Sequence, residues 1–459
     1  MTSIEADYLV IGAGATGMAF VDTLVHESDA TVVVVDRGHA PGGHWTVAYP
    51  FVRLHQPSAY YGVNSRALGS DTIDRTGWNA GFYELASGAE VCAYFDAVMQ
   101  QHLLPTGRVT YHPMSEYLGD GRIRTFGGDE VHVTVRRRVV DTTFVGVTVP
   151  AMRPPPYRVD GVECVPPNAL PAPRPTPDRY VIVGAGKTAM DACLWLLRHG
   201  VAPRRLTWVK PRDAWLLNRA SVQPGAQFTK NVLADVAAQL QSVELASSVR
   251  DLFGRLAESG VLLRIDDSVE PTMYRCAIVS QAELEQLRRI EDVVRLGHVQ
   301  AVEPGRMTLE GGTVAVDGTA LYIDCTAVGL GRLGTTTVFT DDLITLQTVR
   351  TCQPVFSAAL IAHVEAAYDD DATRNAYCAP VPNPEVPLDW LRITLTYNRN
   401  QLRWFDDPTM MAWLDTARLN ILSHATGSVS SRAREKIMGV MRSRLAATNV
   451  KLEALLASG

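Results

Sequence analysis

The sequence lacks several features that would assign it to particular classes of protein. Its 459 residues contain no apolar run of 18 residues, so no transmembrane helix is predicted. No long basic run stands out and the formal net charge is −6, which makes a nucleic-acid partner unexpected. Acidic residues precede the first apolar run, where a signal peptide would carry basic ones. We therefore expect a globular protein with neither nucleic-acid nor membrane partners.

Cysteines are few and scattered along the chain. The seven cysteines form no C-x-x-C pair, so a zinc ribbon, a dithiol redox centre and a disulfide framework are not indicated, and no metal is expected. An odd number of cysteines without a signal sequence predicts a reducing, cytoplasmic compartment. We expect most of these cysteines to be small buried side chains.

Two segments open in the same way, with an apolar strand, a glycine-rich turn and a helical pattern. The first, YLVIGAGATGMAFVDTLV, leads to the valine-rich strand at 31–37. The second, RYVIVGAGKTAMDACLWLLRHG, leads to RLTWVKPRD. Between them, residues 150–177 hold ten prolines, which predicts an extended connector. The pattern predicts an α/β fold with two Rossmann-like dinucleotide-binding domains and a mostly helical C-terminal region.

The first glycine turn has the spacing of a dinucleotide fingerprint. Gly12 suits a tight turn, Gly14 admits a pyrophosphate close to the backbone, and Gly17 lets the helix pack on the strand. Asp36 follows the second strand, where a carboxylate accepts hydrogen bonds from an adenosine ribose and repels a 2′-phosphate. The alternative is a glycine-rich turn that holds no ligand.

The second glycine turn differs at the position that selects the nucleotide. Gly184 and Gly186 are followed by Ala189, which the fingerprint tolerates in its third position. Lys210 and Arg212 stand where the first site has its acid, and two cations suit the 2′-phosphate of NADP. The alternative is that they belong to a solvated strand end. The simplest pairing is FAD in the first site and NADPH in the second.

With these motifs in this order, the sequence resembles the class B flavoprotein monooxygenases, which include flavin-containing, N-hydroxylating and Baeyer–Villiger enzymes. The resemblance rests on the two glycine turns, on Asp36, on the GGHW segment at 42–45 and on residues 322–329, where Asp324 matches a late acidic position. It implies a monooxygenase that uses NADPH and FAD to insert one atom of O2 into a small-molecule substrate, through a flavin C4a-(hydro)peroxide.

The resemblance also implies a role for the aromatic stretch GGHWTVAYPFVRLHQPSAYYG. In such enzymes this segment lies along the flavin, so Gly42 and Gly43 would let the backbone pass close to the cofactor. Trp45 and Tyr49 would cover the flavin ring. The alternative for each aromatic residue is core packing.

Polar residues in and just after this stretch are the candidate donors to the flavin. Arg53, His55 and Gln56 would place donors where negative charge develops when the flavin is reduced. Asn64 falls near the position of a flavin-facing asparagine in related enzymes. The alternative for His55 is a structural histidine.

One family motif is absent. The F-x-G-x-x-x-H-x-x-x-[YW] fingerprint should precede the second glycine turn, where this chain has PPNALPAPRPTPDRYVIV. Its absence favours an alternative, an FAD-dependent oxidase or dehydrogenase that moves a hydride without inserting oxygen. A third possibility is a non-catalytic binding protein on the same fold, such as a prenyl-protein escort.

The expected division of the chain is an FAD-binding domain in two parts, 1–168 and 321–459, around an NADP-binding domain at 169–320, with the helical region at the end. The residues predicted to bind FAD are Gly12, Gly14, Ala15, Thr16, Gly17, Asp36, Arg37, Gly43, His44, Trp45, Arg53, Leu54, His55 and Gln56. Those predicted to bind NADP are Gly184, Gly186, Lys187, Thr188, Ala189, Lys210 and Arg212. The candidate catalytic residues are Arg53, His55 and Asn64.

Overall fold

A computed structural model describes residues 2–327, 334–426 and 430–458 of the chain. The strands, in chain order, are β1 (Thr2–Ile11), β2 (Val32–Val35), β3 (Val109–His112), β4 (Ser115–Gly119), β5 (Arg122–Thr125), β6 (Glu130–Asp141), β7 (Arg158–Val159), β8 (Glu163–Val165), β9 (Arg179–Val183), β10 (Leu206–Val209), β11 (Ala214–Asn218), β12 (Leu262–Leu263), β13 (Met273–Val279), β14 (Val293–Val294), β15 (Val299–Glu303), β16 (Arg306–Leu309), β17 (Gly312–Ala315), β18 (Ala320–Asp324) and β19 (Leu343–Thr345).

Most helices are short, and the longest is the last. They are α1 (Ala15–Glu27), α2 (Gly88–Val98), α3 (Lys187–Arg198), α4 (Thr229–Leu245), α5 (Val249–Glu258), α6 (Gln281–Leu287), α7 (Pro354–Ala367), α8 (Asp371–Tyr377), α9 (Pro387–Asp406), α10 (Pro408–Thr416), α11 (Ile421–Thr426) and α12 (Ser431–Ser458). Within the described residues, no helix combines the length and the apolar character needed to cross a membrane.

The first sheet is built around the N-terminal β-α-β unit. Its order is β3-β2-β1-β6-β5-β4, and β19 also pairs with β6. Strands β3, β2, β1, β6 and β19 run parallel, whereas β4 and β5 form an antiparallel hairpin against β6. The four valines of β2 are all buried, as expected for a strand covered on both faces. We call the part formed by residues 2–149 and 334–367 the first unit.

The second sheet is entirely parallel, in the order β14-β10-β9-β18-β8. Strand β9, helix α3 and strand β10 form the second β-α-β unit that the sequence predicts. Two smaller sheets, β12-β11-β13 and β17-β16-β15-β7, complete this part of the chain, and β16 and β17 form an antiparallel hairpin. We call residues 157–325 the second unit. The predicted α/β fold with two Rossmann-like units is confirmed.

Both expected domain boundaries move, because the strands next to them pair within the second sheet. Strand β8 lies before the expected boundary at 168, yet it pairs with β18 in the second sheet. Strand β18, which carries Asp324, straddles the boundary at 320 and pairs with β9 instead of returning to the first sheet. The chain rejoins the first sheet only at β19. The proline-rich connector therefore contributes an edge strand, where missing N–H donors are tolerated. Val328 and Gly329 of the 322–329 motif lie outside the described residues.

The helical C-terminal region is confirmed, and it packs against both units. Trp404 and Trp413 lie in the apolar core that α1 and α7 share. Trp390 and Leu452 lie in a different core, together with Phe253 of the second unit. Helices α9 and α12 pack on each other, and α12 also contacts α4. The region therefore spans the two units.

The cysteines depart from expectation at one place. Cys276 and Cys352 form a disulfide across 76 residues of sequence, although the spacing of the cysteines indicated none. The expectation of buried thiols holds for Cys193, Cys325 and Cys378, and burial raises the pKa of each. A pairing between cysteines so far apart in sequence is set by tertiary structure and has no local signal.

A buried ionic cluster joins α7 to the first sheet. The Glu365 carboxylate accepts hydrogen bonds from the Tyr8 hydroxyl at 2.7 Å and from the Arg138 guanidinium at 2.9 Å. Arg374 lies 3.2 Å from the same carboxylate. The side chain of Glu365 is 4% exposed, so its charge depends on these partners.

We expect Glu365→Gln to lower the free energy of unfolding by about 2 kcal/mol, because it removes the charge that faces Arg138 and Arg374 and leaves Asp371 as the carboxylate that pairs with both. The control is Glu453→Gln, which removes an exposed pair with Arg399. The control should change stability by less than about 1 kcal/mol. Urea unfolding at pH 7 measures both variants, and equal effects would contradict the assignment.

Candidate functional site

The first glycine turn is shaped to bring α1 close to β1. Gly12 has φ +105°, a left-handed value that favours glycine. A β-carbon on Gly17 would collide with the Gly12 carbonyl oxygen, so only glycine fits there. Helix α1 begins at Ala15, so Thr16 also lies in its first turn, and no side chain caps its N-terminus. The first N–H groups of α1 are thus free for a phosphate.

Asp36 holds the turn and the next loop together. Its carboxylate accepts hydrogen bonds from the Ala13 N–H at 2.6 Å and from the Gly38 N–H at 2.5 Å. Arg37, the next residue, pairs with Glu116 at 2.6 Å. Asp36 is partly exposed at the end of β2, where an adenosine ribose is expected to bind.

A cleft of about 710 Å³ opens beside Asp36. It lies at the carboxyl ends of the parallel strands, where open α/β sheets bind ligands. Besides Gly12, Asp36 and Arg37, it is lined by residues that the sequence analysis missed: Ser115, Tyr117, Asp141, Thr143 and Asp342. Asp141 is the last residue of β6, the strand paired with β1, and Thr143 comes just after it. Their place at the carboxyl end of a strand beside β1 is the signal that could have identified them.

The Gly42–Gly43 turn lies against the first glycine turn. The Gly42 N–H donates to the Ala13 carbonyl at 2.9 Å, and a β-carbon on Gly43 would lie 3.0 Å from the Gly14 Cα. Both glycines have positive φ values, 126° and 58°. Glycines are therefore required here because two backbone segments of the chain lie close together.

The aromatic residues after this turn divide between the two units. The Trp45 indole N–H donates to the Tyr61 hydroxyl at 2.7 Å, within the first unit. The Tyr49 hydroxyl donates to Asp191 on α3 at 2.7 Å, and Phe51 stacks on Trp195 with 5.3 Å between ring centroids. Trp45 remains a candidate for the flavin wall. The Tyr49 hydroxyl faces the second unit, and the cover that its ring would give the flavin stays a prediction.

Two histidines of this stretch are kept neutral. Burial lowers the pKa of His44 to about 4. Burial, followed by the charges of Lys187 and Arg219, lowers the pKa of His55 to about 3. The Ile278 N–H donates to His55 Nδ1 at 3.1 Å, so the proton of this neutral ring lies on Nε2. His55 is thus a neutral donor at the contact between the units.

The other predicted polar residues do not gather around His55. Arg53 is exposed and donates to the Leu85 carbonyl at 2.8 Å. Leu54 is buried in the core of the first unit, and Gln56 donates to the Tyr60 carbonyl at 3.4 Å. Asn64 accepts a hydrogen bond from the Leu419 N–H at 3.4 Å. The structure does not bring Arg53, His55 and Asn64 together as one catalytic group.

The second glycine turn repeats the geometry of the first. Gly184 has φ +135°, and a β-carbon there would lie 2.8 Å from the Cys325 carbonyl oxygen. Helix α3 starts at Lys187 directly after Gly186, and no side chain caps it. Ala189 is fully buried, Thr188 lies in the first turn, and the Lys187 ammonium pairs with Asp191. This turn too presents free N–H groups.

The cations after β10 are paired with carboxylates. Lys210 is 1% exposed, bonds to Asp213 at 2.5 Å and lies 4.8 Å from the centre of the Trp208 ring. Lys210 is therefore not supported as a phosphate ligand. Arg212 is partly exposed and pairs with Glu385 at 2.7 Å. Arg295, which the sequence analysis missed, bonds to Asp213 at 2.8 Å and is about as exposed as Arg212.

Sequence comparisons place the chain among proteins without an assigned activity. The family model described as an NAD(P)-binding Rossmann-like domain matches residues 10–61. Uncharacterized proteins of Mycobacterium tuberculosis and Mycobacterium bovis are each 58% identical over 457 residues, which is 99% of this chain and 85% of the relative.

Among solved structures, the chain is similar to a flavin-containing monooxygenase from Stenotrophomonas maltophilia, with 15% identity, a TM-score of 0.45 and coverage of 80% of this chain and 99% of that one. It is similar to an open form of cyclohexanone monooxygenase, with 14% identity, a TM-score of 0.46 and coverage of 79% and 88%. It is also similar to OTEMO in complex with FAD and NADP, with 14% identity, a TM-score of 0.47 and coverage of 79% and 83%.

We expect His55 to make folding sensitive to acid. Its pKa falls from 6.5 to about 3 on folding, so the unfolded chain binds the proton more tightly and stability is lost as the pH falls below 6.5. Between pH 7 and pH 5, the free energy of unfolding should fall by about 2 kcal/mol less in His55→Asn than in the unmodified protein. The control is the exposed His39, replaced in the same way. Urea unfolding at both pH values measures the difference, and an unchanged pH dependence in His55→Asn would refute the prediction.

Proposed function

This chain belongs to the same family as the mycobacterial proteins that match it over 457 residues, and we propose that it is an FAD-dependent, NADPH-consuming monooxygenase of small molecules. FAD would bind in the first unit and NADPH in the second. The observation that carries the proposal is the direct contact between the aromatic stretch of the first site and the helix and strand of the second.

The residues of the first unit fit FAD. The uncapped N-terminus of α1 would receive the pyrophosphate, and the cleft beside Asp36 has room for the adenosine. Both oxygens of Asp36 already accept backbone N–H groups, which holds the carboxylate in place toward a ribose. Trp45, fixed by its bond to Tyr61, would lie along the remainder of the cofactor.

The residues of the second unit fit a second dinucleotide. The N-terminus of α3 and the ammonium of Lys187 would hold its phosphates. Arg212, just after β10, and Arg295, just after the neighbouring strand β14, are partly exposed cations that would distinguish NADPH from NADH. Both are paired with carboxylates, so a 2′-phosphate would have to compete with Glu385 and Asp213.

Contacts between the units favour transfer between two nucleotides over two independent binding sites. The Tyr49 hydroxyl, in the stretch after the first site, bonds to Asp191 of α3. Lys187, one helical turn before Asp191, pairs with the same carboxylate. His55 joins the stretch to β13. A nicotinamide held at α3 would thus approach a flavin held at α1. When bound, FAD supplies the hydride acceptance and the electron transfer to oxygen.

His55 would act as a fixed neutral donor in this arrangement. Its Nδ1 accepts from Ile278, its carbonyl accepts from Arg219 at 3.2 Å, and its Nε2 carries the remaining proton. A neutral donor stabilises developing negative charge without adding a titration near pH 7. We therefore assign His55 the role of orienting and stabilising the electron-rich edge of the cofactor.

An FAD-dependent oxidase or dehydrogenase is the second candidate. The proline-rich segment before the second glycine turn, where the family fingerprint is absent, favours it. The two candidates share the cofactor sites and differ in the fate of oxygen. A monooxygenase places one atom of O2 in its product, whereas an oxidase returns both as hydrogen peroxide.

Anaerobic reduction followed by oxygen distinguishes these functions. The purified protein is mixed with NADPH or NADH, and the flavin absorbance is followed before and after oxygen is added. We expect NADPH to reduce the flavin faster than NADH does, and labelled O2 to transfer one atom to an accepted amine, sulfide or ketone. Reduction with all oxygen recovered as hydrogen peroxide would favour the oxidase, and a protein that binds no flavin would refute both.

Replacement of Asp36 tests the first site separately. Asp36→Asn keeps the shape but weakens the bonds to Ala13 and Gly38, so we expect at least about a tenfold loss of FAD affinity, equivalent to about 1.4 kcal/mol. The control is Asp29→Asn, an exposed aspartate of the same unit. Flavin-to-protein ratio after gel filtration gives the result, and equal retention by both variants would exclude Asp36 from the site.

A further inference from the structure

The Cys276–Cys352 disulfide is a covalent link between the two units. Cys276 lies in β13 of the second unit, and Cys352 lies two residues before α7 of the first unit. Their Cα atoms are 6.1 Å apart, within the usual range for disulfides. The units are otherwise joined by side-chain contacts, by the connecting chain and by the C-terminal helices that pack on both, so this bond adds a covalent restraint on their relative movement.

Strand β13 is also the strand that meets the proposed reaction site. Two residues beyond Cys276, the Ile278 N–H donates to His55. Two residues before it, the Tyr274 N–H donates to the Glu385 carbonyl at 3.0 Å, just ahead of α9. The disulfide therefore fastens the middle of a strand whose flanks contact the flavin-side loop and the C-terminal region.

Both cysteines have an unfavourable backbone conformation. Cys276 has φ 58° and Cys352 has φ 59°, in the left-handed region that costs free energy for residues with a β-carbon. Cys276 takes this conformation where the pairing of β13 with β11 is irregular, between Tyr274 and Ile278. The disulfide therefore joins two irregular points of the backbone.

The two cysteines differ in exposure. Cys352 is partly exposed, whereas Cys276 is 6% exposed. A small thiol would therefore attack at Cys352, with the Cys276 sulfur as the leaving group. Reclosure brings the two sulfurs back together within an otherwise packed interface.

We propose that the Cys276–Cys352 pair is a reversible redox lock between the two units. To close the lock, one protein thiolate attacks a low-molecular-weight disulfide and releases one thiol, and the second protein thiol then displaces the other. Two electrons and two protons pass from the protein thiols to the small disulfide, which leaves as two thiols. A small dithiol or two thiols reverse the reaction.

The closed lock holds β13 against the first unit, and the open lock lets the second unit shift. This property goes beyond the proposed function, because it can be measured without bound flavin. Only its effect on flavin reduction rests on the proposed function: the closed and open forms should then differ in the rate at which NADPH reduces the flavin.

The first measurement follows the thiols in the full chain. Native protein is treated with oxidised glutathione or with dithiothreitol, and free thiols are alkylated and mapped by peptide mass spectrometry. We expect Cys276 and Cys352 to be protected after the first treatment and alkylated after the second. The proposal would be overturned if Cys276 and Cys352 were both alkylated after treatment with oxidised glutathione. It would also be overturned if dithiothreitol reduced their bond only in the unfolded protein.

The second measurement tests whether the lock controls movement. We expect amide hydrogen exchange in β13 to be about tenfold faster after reduction, because a covalent restraint on local opening is removed. In the Cys352→Ser and Cys276→Ser variants, the amide hydrogens of β13 should exchange fast both with and without reductant. Cys164→Ser, which removes a partly exposed free thiol of β8, should still respond like the unmodified protein. Equal exchange in the oxidised and reduced unmodified protein would refute the lock, and that comparison requires no variant.

Discussion

The junction between the two Rossmann-like units is built around one buried guanidinium. Arg219 is fully buried and donates to the His55 carbonyl at 3.2 Å, to the Asn79 side chain at 3.1 Å and to Glu283 at 2.7 Å. Two of these partners belong to the first unit and one to the second. A buried charge needs such a complete set of partners, because an unpaired one would be costly. Arg219 therefore holds the loop of His55 against β13.

The junction around Arg219 gives the aromatic stretch its second role. Tyr49 and Phe51 contact α3, whereas Trp45, only a few residues earlier, stays with Tyr61 in the first unit. The same short segment thus lines one predicted cofactor site and contacts the other. A segment with bulky, hydrogen-bonding side chains suits this position, since it fills the space between two rigid sheets and satisfies its own polar atoms.

Much of the site could be predicted because its signals are local. The two glycine turns, the uncapped helices that follow them and Asp36 all lie within short β-α-β units, where spacing along the chain is spacing in the structure. The mistaken or incomplete expectations involve distant residues. Tyr49 meets Asp191 across 142 positions, and Cys276 meets Cys352 across 76. Lys210 is the exception, because its partners Asp213 and Trp208 are close to it in sequence.

By itself, the sequence determined the two Rossmann-like units, their order and the type of each turn, because steric demands on glycine and the burial of valine-rich strands act locally. Only the tertiary structure decided which sheet each later strand joins, where β8 and β18 lie, and which side chains meet at the junction of the units. These choices depend on packing between segments far apart in the chain, and no residue carries that information in its immediate neighbours. The position of His55 between Arg219 and Ile278 is the clearest case.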